Sequence, residues 1–217
     1  MNVNEIINRL QNYKRKIEEQ GGEVHTLLIK DVASEDEIRK AEQNLACSFP
    51  PDFRNALLKL SSHIEFFWTI DEDVLDLPDG LSSIFCGDFQ FGLSFLASAE
   101  NSRKEWINIV FPDYEDPYDR LFHNKLAFYE VGDGDLIALD LEKKGYGNVI
   151  YLSHEGDEDA HGFILAHSFS EFLEEWTRLG CVGGEFWQLA PFTNNRNSTL
   201  DSHCENAKAW MNVLSIN

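Results

Sequence analysis

Positive charge is scarce in this sequence, and one long internal stretch has none. The chain carries 18 Lys and Arg residues against 38 Asp and Glu residues, a formal net charge of −20, and neither Lys nor Arg occurs between Lys59 and Arg103. Nucleic-acid binders need basic side chains to displace counterions from phosphates, so this balance argues against that class. It favours a cationic partner, although an acidic surface can also serve solubility alone.

Long apolar runs are also missing. No window approaches the roughly 20 apolar residues that a membrane span requires. The first 20 residues carry dispersed charges and no apolar segment followed by a small-residue cleavage site, which is not the pattern of a secretory signal. We therefore expect a cytoplasmic protein without a membrane partner.

The four cysteines are few and far apart: Cys47, Cys86, Cys181 and Cys204. Their separations of 39, 95 and 23 positions match neither a paired zinc spacing nor a compact disulfide framework. We expect reduced thiols, mostly buried.

Catalytic signatures are absent as well. There is no P-loop, no complete dinucleotide fingerprint and no Gly-x-Ser-x-Gly elbow, and no cysteine has a local nucleophile signature. In the segment SHEGDEDAH, His154, Glu155, Asp157, Asp159 and His161 resemble a metal cluster. The segment lacks the helical His-Glu-x-x-His register and is rich in turn formers, which favours a charged loop over a metal-dependent hydrolase. We predict that the protein is not an enzyme and that it binds neither a cofactor nor a metal.

Apolar spacing predicts the helices. The expected spans are Val3 to Glu19, a helix after Ser34, Asp52 to Ser62 after a proline elbow, Ser98 to Ile109, a helix after Ser168, and a C-terminal amphipathic helix opened by Ser198 and Asp201. Ser34 with Glu37, and Ser168 with Glu171, have the spacing of reciprocal capping boxes. The last helix could dock on its own chain or on a second copy, and the first is the simpler interpretation.

Strands are indicated by β-branched and aromatic runs. We predict strands over Val24 to Ile29, Ile64 to Ile70 and Phe89 to Phe95, and an antiparallel meander over Leu126 to Val131, Asp135 to Leu141 and Val149 to Ser153. Glycine-containing turns separate the three runs of the meander.

Three aspartates in EVGDGDLIALDL raise a separate question. A calcium loop starting at Asp133 fails, because Ile137 and Ala138 stand where an oxygen ligand and a glycine belong. Asp135 and Asp140 point to opposite faces of a strand, so they cannot form a carboxylate dyad on their own. We predict that Asp133 and Asp135 form the hairpin, with a share in an acidic rim, and that Asp140 is a fixed strand residue.

A further acidic segment could bind a partner. Glu65, Asp71 and Asp73 surround Trp68 in the stretch that lacks basic residues. Tryptophan is more often a core residue, but beside these carboxylates Trp68 could be an exposed anchor. The candidate partner-binding residues are therefore Glu65, Trp68, Asp71, Asp73, Asp133 and Asp135.

The order of these segments resembles the SUKH superfamily, which includes many bacterial immunity proteins and relatives of a fungal cell-wall synthesis regulator. Four stretches carry the likeness: SEDEIRKAEQNLACSFPPDFRNALLKLS, FYEVGDGDLIALDL, GNVIYLSHE and AHSFSEFLEEW. Pro50, Gly134 and Asp140 stand at characteristic places. Ser62-His63 departs from the Asn-Gly that often follows the second helix.

The resemblance implies an α+β fold, a twisted, mixed, largely antiparallel sheet that ends in a meander and is flanked by helices. The likeness covers about residues 34–176. We expect a single domain over residues 1–183 and a C-terminal extension with an amphipathic helix over residues 184–217. The implied function is non-enzymatic protein binding, in many members the neutralisation of a toxin encoded beside them. The alternative is a regulatory or scaffolding protein with an endogenous partner and no toxin.

Overall fold

The computed structural model describes residues 2–71, 74–75, 77–81, 84–156, 159–193 and 199–215. Within these residues the chain forms helices and two antiparallel sheets, so the predicted α+β class is confirmed. One large core spans the helices and both sheets, and a smaller core lies beneath one helix. No helix in the described ranges has both the length and the apolar character needed to cross a membrane.

Four of the seven α-helices in the described residues begin at a residue whose side chain caps them. They are α1 (Val3–Glu19), α2 (Glu35–Leu45), α3 (Pro51–Lys59), α4 (Leu93–Ile109), α5 (Phe169–Arg178), α6 (Phe186–Leu189) and α7 (Glu205–Val213). Ser34 Oγ accepts from the Glu37 amide and Glu37 accepts from the Ser34 amide, so the first capping box is confirmed. At α5 only half of the predicted box forms, because Glu171 accepts from the amide of His167 instead of that of Ser168.

One helix and one strand in the first half of the chain end earlier than predicted. The helix after the proline elbow ends at Lys59 and not at Ser62. The buried Ser61 is a turn residue, and its Oγ accepts from the His63 amide and donates to the Lys30 carbonyl. The strand predicted to reach Phe95 ends at Gly92, where α4 begins. Gly92 has φ of +147°, and a Cβ there would lie 2.4 Å from the Ser62 carbonyl oxygen, so glycine is required for this change of direction.

The first sheet has the order β1 (Glu23–Ile29), β2 (His63–Thr69), β3 (Cys86–Gly92), and both pairings are antiparallel. Strand β2 places Ile64, Phe66 and Trp68 in the core by its two-residue alternation. The other face of the sheet, which includes Glu65 and Phe67, is partly exposed.

The second sheet is the predicted meander with one further strand: β4 (Lys125–Glu130), β5 (Leu136–Asp140), β6 (Val149–Leu152) and β7 (Ile164–Ala166). Its pairings are antiparallel too, so the expected mixed sheet is wrong within the described residues. Ile137 and Leu139 face the large core, while Leu136 and Ala138 face the smaller core under α4. Burial on both faces explains why this strand is apolar throughout rather than alternating.

A buried ion pair fixes α4 on the second sheet. Arg103 Nε donates to Glu100 Oε2 at 2.9 Å, and both side chains are almost fully buried. Glu100 Oε2 also accepts from the backbone amide of Ala127 in β4 at 3.2 Å, and Arg103 donates to the Phe122 carbonyl. Because these groups satisfy one another, the position of α4 along β4 is specified.

The C-terminal helix docks on its own chain. Ala207, Trp210 and Leu214 are fully buried in the large core. The helix begins at Glu205, with Cys204 as its cap. This start is later than predicted, because Asp201 belongs to the preceding turn, where it accepts from the His203 amide. Ser198 lies outside the described residues. All four cysteines are free thiols, but only Cys181 is buried, and the other three are partly exposed.

Candidate functional site

The β4–β5 turn has the hairpin geometry that its sequence predicts. Asp133 Oδ1 accepts from the backbone amide of Asp135 at 2.8 Å, and the Gly134 amide donates to the Val131 carbonyl at 2.9 Å. Gly134 has φ of +98°, which glycine adopts without the steric penalty of a Cβ. Asp133 is therefore an exposed turn former, as expected.

Asp135 does not lie on the acidic rim, which corrects the prediction for this residue. It is 5% exposed, and its Oδ1 accepts from the backbone amide of His154 at 2.8 Å and from His154 Nδ1 at 2.7 Å. A carboxylate only accepts, so Nδ1 carries the proton in this pair. Asp135 thereby connects the hairpin to the start of the 154–161 loop and holds the imidazole in place.

The imidazole of His154 supports a tryptophan. The rings of His154 and Trp106 stack with centroids 4.4 Å apart, and Trp106 Nε1 donates to the Gly134 carbonyl at 3.2 Å. Trp106 forms part of the wall of a cavity of about 240 Å³ between α4 and the hairpin. We call this space the hairpin cavity; its lining residues are Ser102, Glu105, Trp106, Ile109, Glu130 and Gly134.

The hairpin cavity combines apolar walls with carboxylates. Glu105 and Glu130 are exposed, and within the described residues neither carboxylate has a hydrogen bond or an ion pair. Among the described residues, no basic side chain lines the cavity. Ile109 is 77% exposed at its edge, the largest exposure among the large apolar side chains described.

Several negative charges lie near Asp133, which precedes Gly134 of the cavity in the sequence. Partial burial raises the pKa of Asp133, and the neighbouring charges of Asp135 and Glu155 act in the same direction. Burial, followed by the charges of Asp135 and Asp133, raises the pKa of Tyr151 far above its usual range.

Asp140 has a structural position. Its Oδ1 lies 3.1 Å from the Nζ atom of Lys125, whose side chain is 2% exposed, and also accepts from the Glu142 amide at 2.9 Å. The same ammonium group also donates to the Glu142 carboxylate and to the His123 carbonyl. Pro50 also has a structural position. It is buried and precedes α3, and its carbonyl accepts from the Arg54 amide.

Of the remaining predicted residues, those that the structure describes do not line the hairpin cavity. Trp68 is fully buried and donates to the Gly180 carbonyl at 2.8 Å, so the prediction of an exposed anchor is wrong. Glu65 lies on the outer face of the first sheet, where it is paired with His63 Nε2 at 2.6 Å. Asp71 is exposed after β2, and Asp73 lies outside the described residues.

The histidines of the 154–161 loop are used by the fold. His161 Nδ1 accepts from the Ser153 amide at 3.1 Å and its Nε2 donates to the Tyr118 carbonyl at 3.0 Å, so both ring nitrogens have protein partners. Burial lowers the pKa of His161, which favours this neutral tautomer. The described residues hold no group of three or more metal-ligating side chains, and Asp157 falls outside them.

The cavity residues other than Gly134 were missed by sequence reasoning. Trp106 and Ile109 belong to a helix that was predicted, although it begins at Leu93 and not at Ser98, but nothing local shows that they lie beside a hairpin 25 positions later. Ile109 and Val110 at the end of α4 are both exposed, which their apolar character does not indicate in the sequence. A cavity between distant elements leaves no spacing pattern in the sequence.

Two antiparallel sheets covered by helices define an α+β protein, and an acidic cavity lies beside its β4–β5 hairpin. Residues 32–175, well over half of the chain, match the SMI1 / KNR4 family (SUKH-1), and the chain belongs to this family. The predicted resemblance is thus confirmed. The family consists of immunity and related regulatory modules that are generally non-enzymatic. No curated protein matches the chain.

Proposed function

We propose that this chain is a non-enzymatic immunity protein that neutralises a cognate toxin by binding a cationic surface of it. The hairpin cavity is the observation that carries the proposal, because Glu105 and Glu130 have no partner among the described residues and Trp106 offers an aromatic wall beside them. We place this activity in the cytoplasm.

The charge of the chain fits such a partner. A toxin that acts on nucleic acid presents a cationic groove, and a protein of net charge −20 is attracted to it over long range. Binding over that groove would block the substrate without any chemistry by the immunity protein. A nuclease domain is therefore the kind of toxin that we favour.

Co-expression tests the proposal. The toxin encoded beside this gene is expressed with wild-type chain, with a Glu105→Gln/Glu130→Gln double variant, and with Glu18→Gln/Glu5→Gln, which removes two charges from α1 instead. We expect the wild type and the α1 control to restore growth and to co-elute with the toxin on a sizing column. Unchanged killing together with no complex would contradict the proposal.

A regulatory or scaffolding role is the second candidate, because the family also contains regulatory modules. It predicts capture of an endogenous partner from the source cell's lysate and no toxin-like neighbour. Elution of the captured partner at high salt would support use of the same acidic surface, because screening shortens the reach of exposed charges.

A further inference from the structure

We infer that the hairpin cavity binds one arginine side chain of the partner protein, with the guanidinium group against Trp106 and between the carboxylates of Glu105 and Glu130. This inference rests on the proposed function and names the group that its surface recognises. The aromatic wall supports it, as do the size of the cavity and the carboxylates of Glu105 and Glu130, which have no partner among the described residues.

The aromatic wall is held in place before any partner arrives. The Trp106 indole is fixed by its hydrogen bond to the Gly134 carbonyl and by stacking on His154, which Asp135 holds in turn. A preformed surface avoids the entropy cost of ordering a side chain on binding. Arginine stacks on aromatic rings through its planar, weakly hydrated guanidinium, and indole is the strongest partner for a cation.

The carboxylates distinguish arginine from lysine. Glu105 comes from α4 and Glu130 from the end of β4, so they approach the cavity from two elements. Arginine presents five N–H donors in a rigid fork that suits carboxylates, whereas the lysine ammonium is a compact and strongly hydrated point charge. A site with two carboxylates and an apolar wall therefore favours arginine.

The volume of the cavity suits a single side chain. At about 240 Å³ it is smaller than the ~300–1,000 Å³ of sites that enclose small-molecule ligands. Ile109, exposed at the edge, offers apolar contact to the methylene stem of an inserted arginine. This surface differs from the outer face of the first sheet, where Glu65 is already paired with His63 and Phe67 is stacked on His25.

Titration with blocked amino acids tests the inference without the toxin. N-acetyl-arginine amide, N-acetyl-lysine amide and the neutral isostere N-acetyl-citrulline amide are added to ¹⁵N-labelled protein, and the Trp106 indole N–H signal, assigned with Trp106→Phe, is followed. We expect saturable binding of the arginine probe with a Kd on the order of 1–10 mM, at least several-fold weaker binding of lysine, and none of citrulline.

Single variants then locate the site. Glu105→Gln and Glu130→Gln should each weaken arginine binding about threefold to tenfold, while Glu18→Gln on α1 should leave it unchanged. Equal responses to the three probes, an unsaturable response, or wild-type affinity in both cavity variants would overturn the inference.

The cognate complex separates this inference from the proposed function. If the toxin forms a complex whose affinity is unchanged by Glu105→Gln and Glu130→Gln, the arginine pocket is wrong and the immunity function stands. If arginine binds as expected but the neighbouring toxin neither kills nor associates, the pocket stands and the proposed toxin partner is wrong.

Discussion

The indole rings of Trp68 and Trp210 stack in the interior with centroids 6.0 Å apart and an interplanar angle of 16°. Trp68 Nε1 donates to the Gly180 carbonyl, and Trp210 Nε1 donates to the adjacent Leu179 carbonyl at 3.0 Å. Strand β2 and helix α7, which lie far apart in sequence, are thus joined at the end of α5. Helix α7 is therefore part of the core.

Trp210→Ala should lower the free energy of unfolding by about 3–5 kcal/mol, because it removes a fully buried indole and leaves a cavity against Trp68. Urea unfolding measures the change. Trp187→Ala is the control, since Trp187 is 44% exposed, and it should cost far less. A loss in Trp210→Ala as small as that in Trp187→Ala would show that α7 contributes little to the core.

Asp140→Asn should destabilise the protein by about 2 kcal/mol. The variant keeps the shape of the side chain but removes the charge nearest to the buried Lys125 ammonium. Glu142→Gln removes the other carboxylate, which is 41% exposed, and should cost less than about 1 kcal/mol. Equal effects in chemical denaturation would contradict a structural role specific to Asp140.

Gly134→Ala should cost about 1–2 kcal/mol from its positive φ, and the added Cβ would also lie 3.3 Å from His154 Cε1. Gly156→Ala is the matched control, because its φ is +80° and no atom of the described residues lies within 4 Å of the added Cβ. The difference between the two free energies of unfolding measures the contact with His154. Gly134→Ala should also shift the Trp106 indole N–H signal, since Gly134 accepts that hydrogen bond; an unmoved signal would contradict this coupling.

His161 should make stability depend on pH. Its pKa in the folded protein is lowered by burial below the ordinary value of 6.5, so between these two pKa values the unfolded chain binds a proton that the folded chain does not. The stabilisation is complete above pH 6.5 and is lost as the pH falls toward the folded pKa. His161→Gln should flatten this part of the profile of unfolding free energy against pH, and His167→Gln, at an exposed position, should not. A wild-type slope in His161→Gln would refute the assignment.

Several elements could be predicted because their causes are local. Helix α1 has the predicted bounds, since its apolar stripe and the following glycines act within a few residues. The capping box at Ser34 and the turn at Asp133 and Gly134 are likewise set by short-range hydrogen bonds. Predictions failed where tertiary contacts decide, as for Leu93 to Phe95, whose aromatic and apolar composition suits a strand but which begin α4.

The sequence by itself determined the α+β class, the family, the net charge and the hairpin, because these depend on composition, on the order of motifs and on interactions between near neighbours. Only the tertiary structure decided that Trp68 is a core residue, that Asp135 is buried against His154, and that Trp106 lines a cavity with Glu105 and Glu130. Exposure and pairing are properties of elements packed together from distant parts of the chain. A carboxylate in a sequence therefore does not show whether it will face solvent or be satisfied inside the fold.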